Sequence, residues 1–368
     1  MLRGSFKARV FGALLCAVAV AIPVAAVGAS AAPVSCFGEP TTMSGTPADE
    51  ELVGTSGRDV INAGSGDDLV RGKGGNDLIC GNHGRDRVFG GAGDDRVTGG
   101  RTPADLVAGG PGDDFLDGVE GGGYAEINGG DTVSYRNAAG PVDVNLITGV
   151  ATGEGTDTLA LDSFAGIDGS AYDDTLIGGE PFNGNAIRGF GGDDIIFGGN
   201  EEDYGEFLAG GSGDDEIHGE DGYDYLVGGR GDDLIDGGSQ PDPNLDLPAD
   251  VVMYGSSFQT VLFNYEISER PIELNFGTGV VTGVGRDSLI DIEGVTGSDR
   301  ADILLGGPGS DGFWARKGAD VVRGRGGPDG LNLIDDSSDD RGNGGRGRDH
   351  CAADRGDELV SCEDVFRD

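Results

Sequence analysis

The sequence predicts an all-β chain, a parallel β-solenoid of short stacked strands interrupted by two β-rich inserts. Three observations predict it. Aspartates recur every nine residues, aliphatic residues recur two positions after them, and the 74 glycines of the 368 residues cluster between the two. Glycine ordinarily makes up about 7% of a chain. A fixed period of this kind marks a repeat architecture in which no unit can bury its apolar face alone.

Residues 1–31 read as a signal peptide. Arg3, Lys7 and Arg9 form a basic start, Val10 to Val27 is almost wholly apolar, and Ala29-Ser30-Ala31 fits the small-residue cleavage rule. The apolar run is short for a membrane span and ends in small residues, and no later segment is apolar for long enough to span, so membrane insertion is not expected. No twin-arginine pair is present, which favours the general export route. Cleavage removes three positive and no negative charges, leaving a mature chain at -41 - 3 = -44. That charge excludes binding to nucleic acid or to an anionic membrane by charge alone, and points to cations as partners.

The register itself is explicit. Asp59, Asp68, Asp77, Asp86 and Asp95 are nine apart; Asp105 follows a one-residue insertion and Asp114 restores the step. A second run holds Asp174, Asp194, Asp215, Asp224 and Asp233, with Asn185 and Glu206 at slipped positions. A third holds Asp302, Asp311, Asp320 and Asp329, then Asp340, Asp349 and Glu358. Two residues after most of these positions stand Ile61, Val70, Ile79, Val88, Val97, Val107 and Leu116, then Leu176, Ile196, Leu208, Ile217, Leu226 and Ile235, then Leu304, Phe313, Val322, Leu331, Cys351 and Val360. The two periodicities lock together, which composition alone would not produce.

Physics gives each unit its shape. A glycine-rich turn of about six residues leads into about three extended residues, of which the aliphatic one points inward and its neighbours outward. Two units make one coil, and coils stack at about 4.8 Å. Stacking sets Asp59 over Asp77 and Asp68 over Asp86. Two carboxylates about 5 Å apart repel by roughly 1 kcal/mol in water and by several at an effective dielectric near 20. A hard divalent cation reverses that sign. Calcium suits the site because it takes six to eight oxygens, backbone carbonyls included, in flexible geometry, whereas magnesium demands a stricter octahedron.

The unit G-G-x-G-x-D-x-U-x resembles the calcium-binding nonapeptide of RTX (hemolysin-type) proteins. Good copies are "GGAGDDRVT" (90–98), "GGPGDDFLD" (109–117), "GGSGDDEIH" (210–218) and "GGRGDDLID" (228–236). The resemblance implies a parallel β-roll with calcium between the turns of adjacent coils, held by the last Asp of each motif and by turn carbonyls. Carried over residue by residue, the implied metal ligands are Asp59, Asp68, Asp77, Asp86, Asp95, Asp105, Asp114, Asp174, Asp194, Asp215, Asp224, Asp233, Asp302, Asp311, Asp320, Asp329 and Asp349. Asn185 and Glu206 lie in irregular units and are set aside. Asp232, beside Asp233, occupies a variable turn position and is expected to face solvent. Gly312, Phe313 and Trp314 depart from the usual strand residues, and 335–341 break the register. Classical exporters of the family read a C-terminal signal, which the N-terminal peptide here argues against.

The expected organisation is a signal peptide (1–31), an N-terminal cap (32–53), a first RTX array (54–128), a β-rich insert (129–168), a second array (169–238), a loop with a second β-rich insert (239–296), and a third array with a C-terminal cap (297–368). The inserts resemble each other: "DTVSY", "PVDVNL", "TGVATGEGTDTL" against "DVVMY", "PIELNF", "TGVVTGVGRDSL". Alternation at Val142, Val144 and Leu146 and at Ile272, Leu274 and Phe276 argues for half-buried strands, read as continuations or bulges of the roll. "PDPNLDLPAD" before Val251 reads as an exposed loop.

Four cysteines remain after processing and allow three pairings. Proximity and the two-ended layout favour Cys36–Cys80 and Cys351–Cys362, each stapling one end of the solenoid, where fraying starts. A zinc set of Cys80, His83, His350 and Cys351 is a weaker alternative. No sequence signature of a hydrolase, zinc peptidase or EF-hand is present, and the longest nonrepeat stretch is short for a catalytic domain. The expectation is a secreted, extracellular, non-catalytic protein that binds several Ca2+ ions and folds upon doing so. The alternative is a calcium-stiffened adhesion or interaction protein at the cell surface or in a matrix, whose partner would be a cell wall, a polysaccharide or a second copy of itself. A secreted enzyme or toxin with an RTX folding module ranks below both.

Overall fold

In the arrays strand formation follows the D-x-U pattern, as in Val60–Ser65 after Asp59 and Leu69–Gly74 after Asp68. The computed structural model describes residues 35–102, 104–119, 130–179, 185–200, 205–238, 251–253, 270–283, 285–336 and 339–368. The proposed signal peptide and the whole of the "PDPNLDLPAD" loop, Asp250 included, lie outside them. Among the described residues there is no helix, and so none long and apolar enough to cross a membrane.

Successive strands alternate between two sheets. Among the described residues one sheet has fifteen strands, running from Glu51–Val53 through Leu69–Gly74, Arg87–Ala92 and onward to His350–Ala353 and Asp364–Arg367. Its neighbours are parallel and in register, with Val70 opposite Val88, Val88 opposite Val107, and Leu208 opposite Leu226. The other sheet begins with Met43–Ser44 and Val60–Ser65 and stacks Ile61 on Ile79, Val97 and Leu116. Pairing therefore starts within residues 32–53.

The inward residues form the core. Ile61, Val70, Ile79, Val88, Val97, Val107 and Leu116 are fully buried, as are Leu176, Ile196, Leu208, Ile217, Leu226 and Ile235. Phe313 takes the same place in a regular strand, Gly312–Trp314. The extended segments are longer than three residues where the motif is regular. Val60–Ser65 and Leu69–Gly74 each have six, because ladder hydrogen bonds need only backbone and continue into the glycines. Glycine is required where the turn tightens: Gly91 has φ +119°, and a Cβ there would lie 2.3 Å from the Lys73 carbonyl oxygen.

The inserts continue the solenoid. In the first, Asp143–Asn145, Val150–Thr152 and Thr156–Leu159 form an antiparallel meander. Its outer strands pair in parallel with the flanking coils, Leu159 with Leu116 and Val144 with Leu176. The second repeats this with Glu273–Asn275, Val280–Thr282 and Arg286–Ile290, setting Leu289 against Ile235 and Leu274 against Leu304.

Near the C-terminus the expected register moves by one residue. Val360 is 48% exposed, and Leu359 packs against the core instead. The shortened turn after Asp349 shifts the pleat, and a one-residue slip exchanges the faces of a strand.

The disulfides Cys36–Cys80 and Cys351–Cys362 form at the two ends, with Cα separations of 5.7 and 6.0 Å. They occupy Cys80 and Cys351 and so remove the zinc alternative. At the N-terminal end the Arg96 guanidinium also lies over the Phe37 ring, 4.2 Å from its centroid.

Candidate metal sites

Each register acid stands at the end of a glycine turn, immediately before the strand that its second neighbour anchors in the core. The inward aliphatic fixes the strand, and the strand fixes the carboxylate beneath the previous coil. The Asp59 amide donates to Asp77 Oδ1 (2.7 Å), Asp77 to Asp95 (2.7 Å) and Asp95 to Asp114 (2.7 Å). On the other edge Asp68 donates to Asp86 and Asp86 to Asp105. The second array repeats the pattern from Asp174 to Asp194, Asp215 and Asp233, and the third from Asp302 to Asp320 and from Asp311 to Asp329 and Asp349. The sequence register thus becomes two ladders, and all seventeen sequence-predicted acids are buried in them.

The second carboxylate oxygen is the chemically active feature. Oδ2 of Asp68, Asp77, Asp86, Asp95, Asp105 and Asp114 is buried without a hydrogen-bond partner, and so is Oδ2 of Asp194, Asp215, Asp233, Asp320, Asp329 and Asp349. A glycine cradles it: a Cβ on Gly210 would lie 2.1 Å from Asp215 Oδ2, and one on Gly228 would lie 2.2 Å from Asp233 Oδ2. A buried, unpartnered carboxylate oxygen is costly unless a proton or a cation meets it. Burial accordingly pushes the acids up, to about 8 at Asp105, Asp114, Asp194, Asp215 and Asp320 and to about 7 at Asp95, Asp233 and Asp329. The amide bond from the previous coil opposes this shift, and neighbouring acids add to it.

These residues fit calcium. The donors are all oxygen, carboxylate and turn carbonyl, which selects a hard cation. Among the described residues no three His, Cys, Asp or Glu side chains converge on one point, so carboxylates from adjacent coils would share a cation with backbone carbonyls.

Four predicted ligands differ. Asp59, Asp174 and Asp302 have Oδ2 bonded by Thr55, Ser170 and Ser298, and Asp311 Oδ2 accepts from the Gly307 amide at 2.7 Å. Of the two irregular positions, Glu206 stays in the ladder. Glu206 is fully buried, its amide donating to Asp224 Oδ1 at 2.8 Å; burial and a side-chain hydrogen bond with Asp224 push its carboxyl up. Asn185 instead closes on its own turn, exchanging hydrogen bonds with the Gly179 amide and carbonyl.

The ladders also pass through the inserts, which the spacing argument missed. Asp131 accepts from the Asp105 amide, Asp157 from Asp114 and Asp287 from Asp233. The available signal was the D-x-U triplet, complete in Asp131/Val133, Asp157/Leu159 and Asp287/Leu289. Asp157 Oδ2 is met by the Tyr135 hydroxyl at 2.8 Å. At the C-terminal end the ladder acid is Asp357, which accepts from Asp340, and not the exposed Glu358. Asp340 belongs to the ladder too, accepting from Asp320 with its Oδ2 unpartnered.

A family model, the RTX calcium-binding nonapeptide repeat (4 copies), matches residues 44–79, 81–101, 167–180, 185–204, 209–242 and 296–331. No curated protein matches the chain.

Proposed function

Since the chain is an RTX calcium-binding repeat protein with the β-roll architecture, we propose that it is a secreted, non-catalytic protein whose roll folds on binding extracellular calcium. The observation that carries this reading is the row of buried carboxylate oxygens without partners, repeated coil after coil in both ladders. In the absence of cation the ladders oppose folding by like-charge repulsion and desolvation. Calcium, when bound, supplies the positive charge that removes both penalties. Asp77, Asp95 and Asp114 on one edge, and Asp68, Asp86 and Asp105 on the other, hold it in the first array; Asp194, Asp215 and Asp233 do so in the second, and Asp320, Asp329 and Asp349 in the third. A ligand that binds only the folded chain stabilises it by mass action. Scarce calcium inside a cell keeps the chain extended and exportable, and millimolar calcium outside folds it. The N-terminal segment supports an export route of this kind.

The test is far-UV circular dichroism of residues 32–368 with disulfides formed, titrated from chelator to millimolar calcium, with magnesium as control. A coil-to-β transition specific to calcium is expected. The same β signal in chelator would remove calcium-coupled folding.

A further inference from the structure

The register acids are of two kinds, and the difference is ordered along the chain. Most leave Oδ2 buried and unpartnered. Asp311, whose Oδ2 accepts from the Gly307 amide, is one exception; Asp59, Asp174 and Asp302 are the others, and each of these three is the first acid of its array. Four residues before each stands a hydroxyl in place of the second glycine, in "GTSGRD", "GSAYDD" and "GSDRAD".

The three turns share one hydrogen-bond pattern. The amide of the hydroxyl residue donates to Oδ2: Thr55 to Asp59 at 2.6 Å, Ser170 to Asp174 at 2.5 Å and Ser298 to Asp302 at 2.7 Å. The hydroxyl donates to the same carboxylate at 2.9, 2.7 and 2.8 Å. It also accepts the amide two residues on, from Gly57, Tyr172 and Arg300. Oδ1 of Asp174 and Asp302 takes a further amide from the preceding insert, that of Val142 or Ile272, at 2.8 Å each. Both oxygens of these two acids are therefore met by protein donors.

The backbone is different as well. In regular turns the residue at this position has left-handed φ, +119° at Gly91, +76° at Phe190 and +115° at Gly229. The amides of Gly91 and Phe190 donate outward, to Gly109 O and Gly210 O of the next coil. Thr55, Ser170 and Ser298 are not among the positive-φ residues, and their amides face inward to the carboxylate.

We propose that Thr55, Ser170 and Ser298 take the place of the cation at the first turn of each array, closing Asp59, Asp174 and Asp302 to calcium and giving each array a metal-independent first coil. Each array then carries its own folding start, from which the cation-dependent coils are added. The assignment rests on the calcium reading of the ladders and sets their boundaries. It also corrects the metal-ligand expectation at these three acids.

Two measurements on the native chain and its variants test this. The first is anomalous scattering from crystals grown with Tb3+ in place of calcium. Terbium is expected on Asp95, Asp215 and Asp320 and absent from Asp59, Asp174 and Asp302; an ion bonded to any of the last three overturns the proposal. The second is residue-resolved hydrogen exchange in chelator. The amides of Val142, Ser170, Ile272 and Ser298 are expected to exchange about tenfold or more slowly relative to those of Asp194 and Asp215. The S170A/S298A variant should lose that protection with calcium stoichiometry unchanged, and S170T should keep it. Equal exchange at both sets in the native chain, or loss of bound calcium in S170A/S298A, overturns it. Terbium missing from every ladder acid defeats the calcium reading instead. The exchange data then decide the caps alone, supporting them if S170A/S298A loses the protection and overturning them if it does not.

Discussion

The backbone amide of Asp215 donates to Oδ1 of Asp233 in the next coil, at 3.0 Å. One residue away the direction reverses: the Asp232 amide donates back to Oδ1 of the exposed Asp214, at 2.8 Å. The paired aspartates of each motif thus belong to two ladders of opposite sense. The inner one holds its carboxylates out of water, and the outer one leaves them in it. The same outer steps join Asp214 to Asp193 and Asp193 to Asp173. Only the inner ladder is short of partners, so only there does charge decide stability.

Replacement of Asp215 by Asn separates the charge from the hydrogen bond. The amide oxygen can still accept from Asp194, while the charge and its burial cost disappear. The chain shows such a replacement at Asn185, whose side-chain amide is satisfied within its turn. D215N is expected to unfold about 1 kcal/mol less readily than the native chain in chelator and to bind at least one calcium fewer. Chemical denaturation in chelator and equilibrium dialysis in calcium check the two halves. Greater instability of D215N in chelator would show that its carboxylate is not a burden there.

The raised carboxyls fix the sign of the pH dependence. In the metal-free folded chain Asp105, Asp114, Asp194, Asp215 and Asp320 reach about 8, against an ordinary 3.8. The folded state then holds more protons than the unfolded one between those values. Stability supplied by protonation is fully present below pH 4 and is lost as pH rises through 8. In chelator the melting temperature should therefore fall between pH 5 and pH 9. Calcium displaces the same protons, so its affinity should rise over that interval, with proton release measurable by calorimetry in buffers of different ionisation enthalpy. A melting temperature in chelator that rises with pH would contradict the assignment.

The repeat register made the fold legible because two periodicities, acid and aliphatic, had to coincide for the coil to close. It located the core residues from Ile61 to Leu331 and the seventeen aspartates that the structure buries in the ladders. It did not reveal which acids are already satisfied. Asp174 and Asp194 share the D-x-U register, and the effect of the residue four places before them, Ser170 against Phe190, shows only in the inward turn of the Ser170 amide and hydroxyl. The insert acids escaped because spacing was read along the chain, whereas the ladder counts coils in space. Asp114 and Asp157 are adjacent coils separated by a meander. At the C-terminal end a shortened turn moved the ladder from Glu358 to Asp357, a one-residue shift that no periodicity longer than the strand can resolve.

Glycine at the start of each motif serves the carboxylate. A Cβ on Gly228 would meet Asp233 Oδ2 at 2.2 Å, whereas one on Gly326 would meet nothing within 4 Å. G228A is expected to displace the carboxylate and weaken calcium-dependent stabilisation by about 1–3 kcal/mol, the range for forced overpacking. G326A should be neutral, or more stable by about 0.4–1 kcal/mol through the unfolded chain. Thermal melts of both variants with and without calcium distinguish them. Equal losses in the two would mean that the turn tolerates no side chain anywhere, and that the carboxylate is not the reason.

The two disulfides should not be equivalent. Cys36–Cys80 spans 44 residues and Cys351–Cys362 spans 11. On the loop-entropy model these closures are worth about 4 and about 3 kcal/mol. The longer one crosses the first coils: it ties the strand Ser35–Cys36 to Leu78–His83 and covers an end whose first acid, Asp59, is already satisfied by Thr55. The shorter one holds Cys351 in the core beside Leu331. In a solenoid each coil touches only its neighbours, so loss of either bond is felt first at its own end. C36S/C80S is expected to speed hydrogen exchange through the first array while leaving the third unchanged, and C351S/C362S to do the converse with a smaller loss. Exchange that accelerates uniformly along the chain in either variant would show that the roll unfolds as one unit and that the staples act globally.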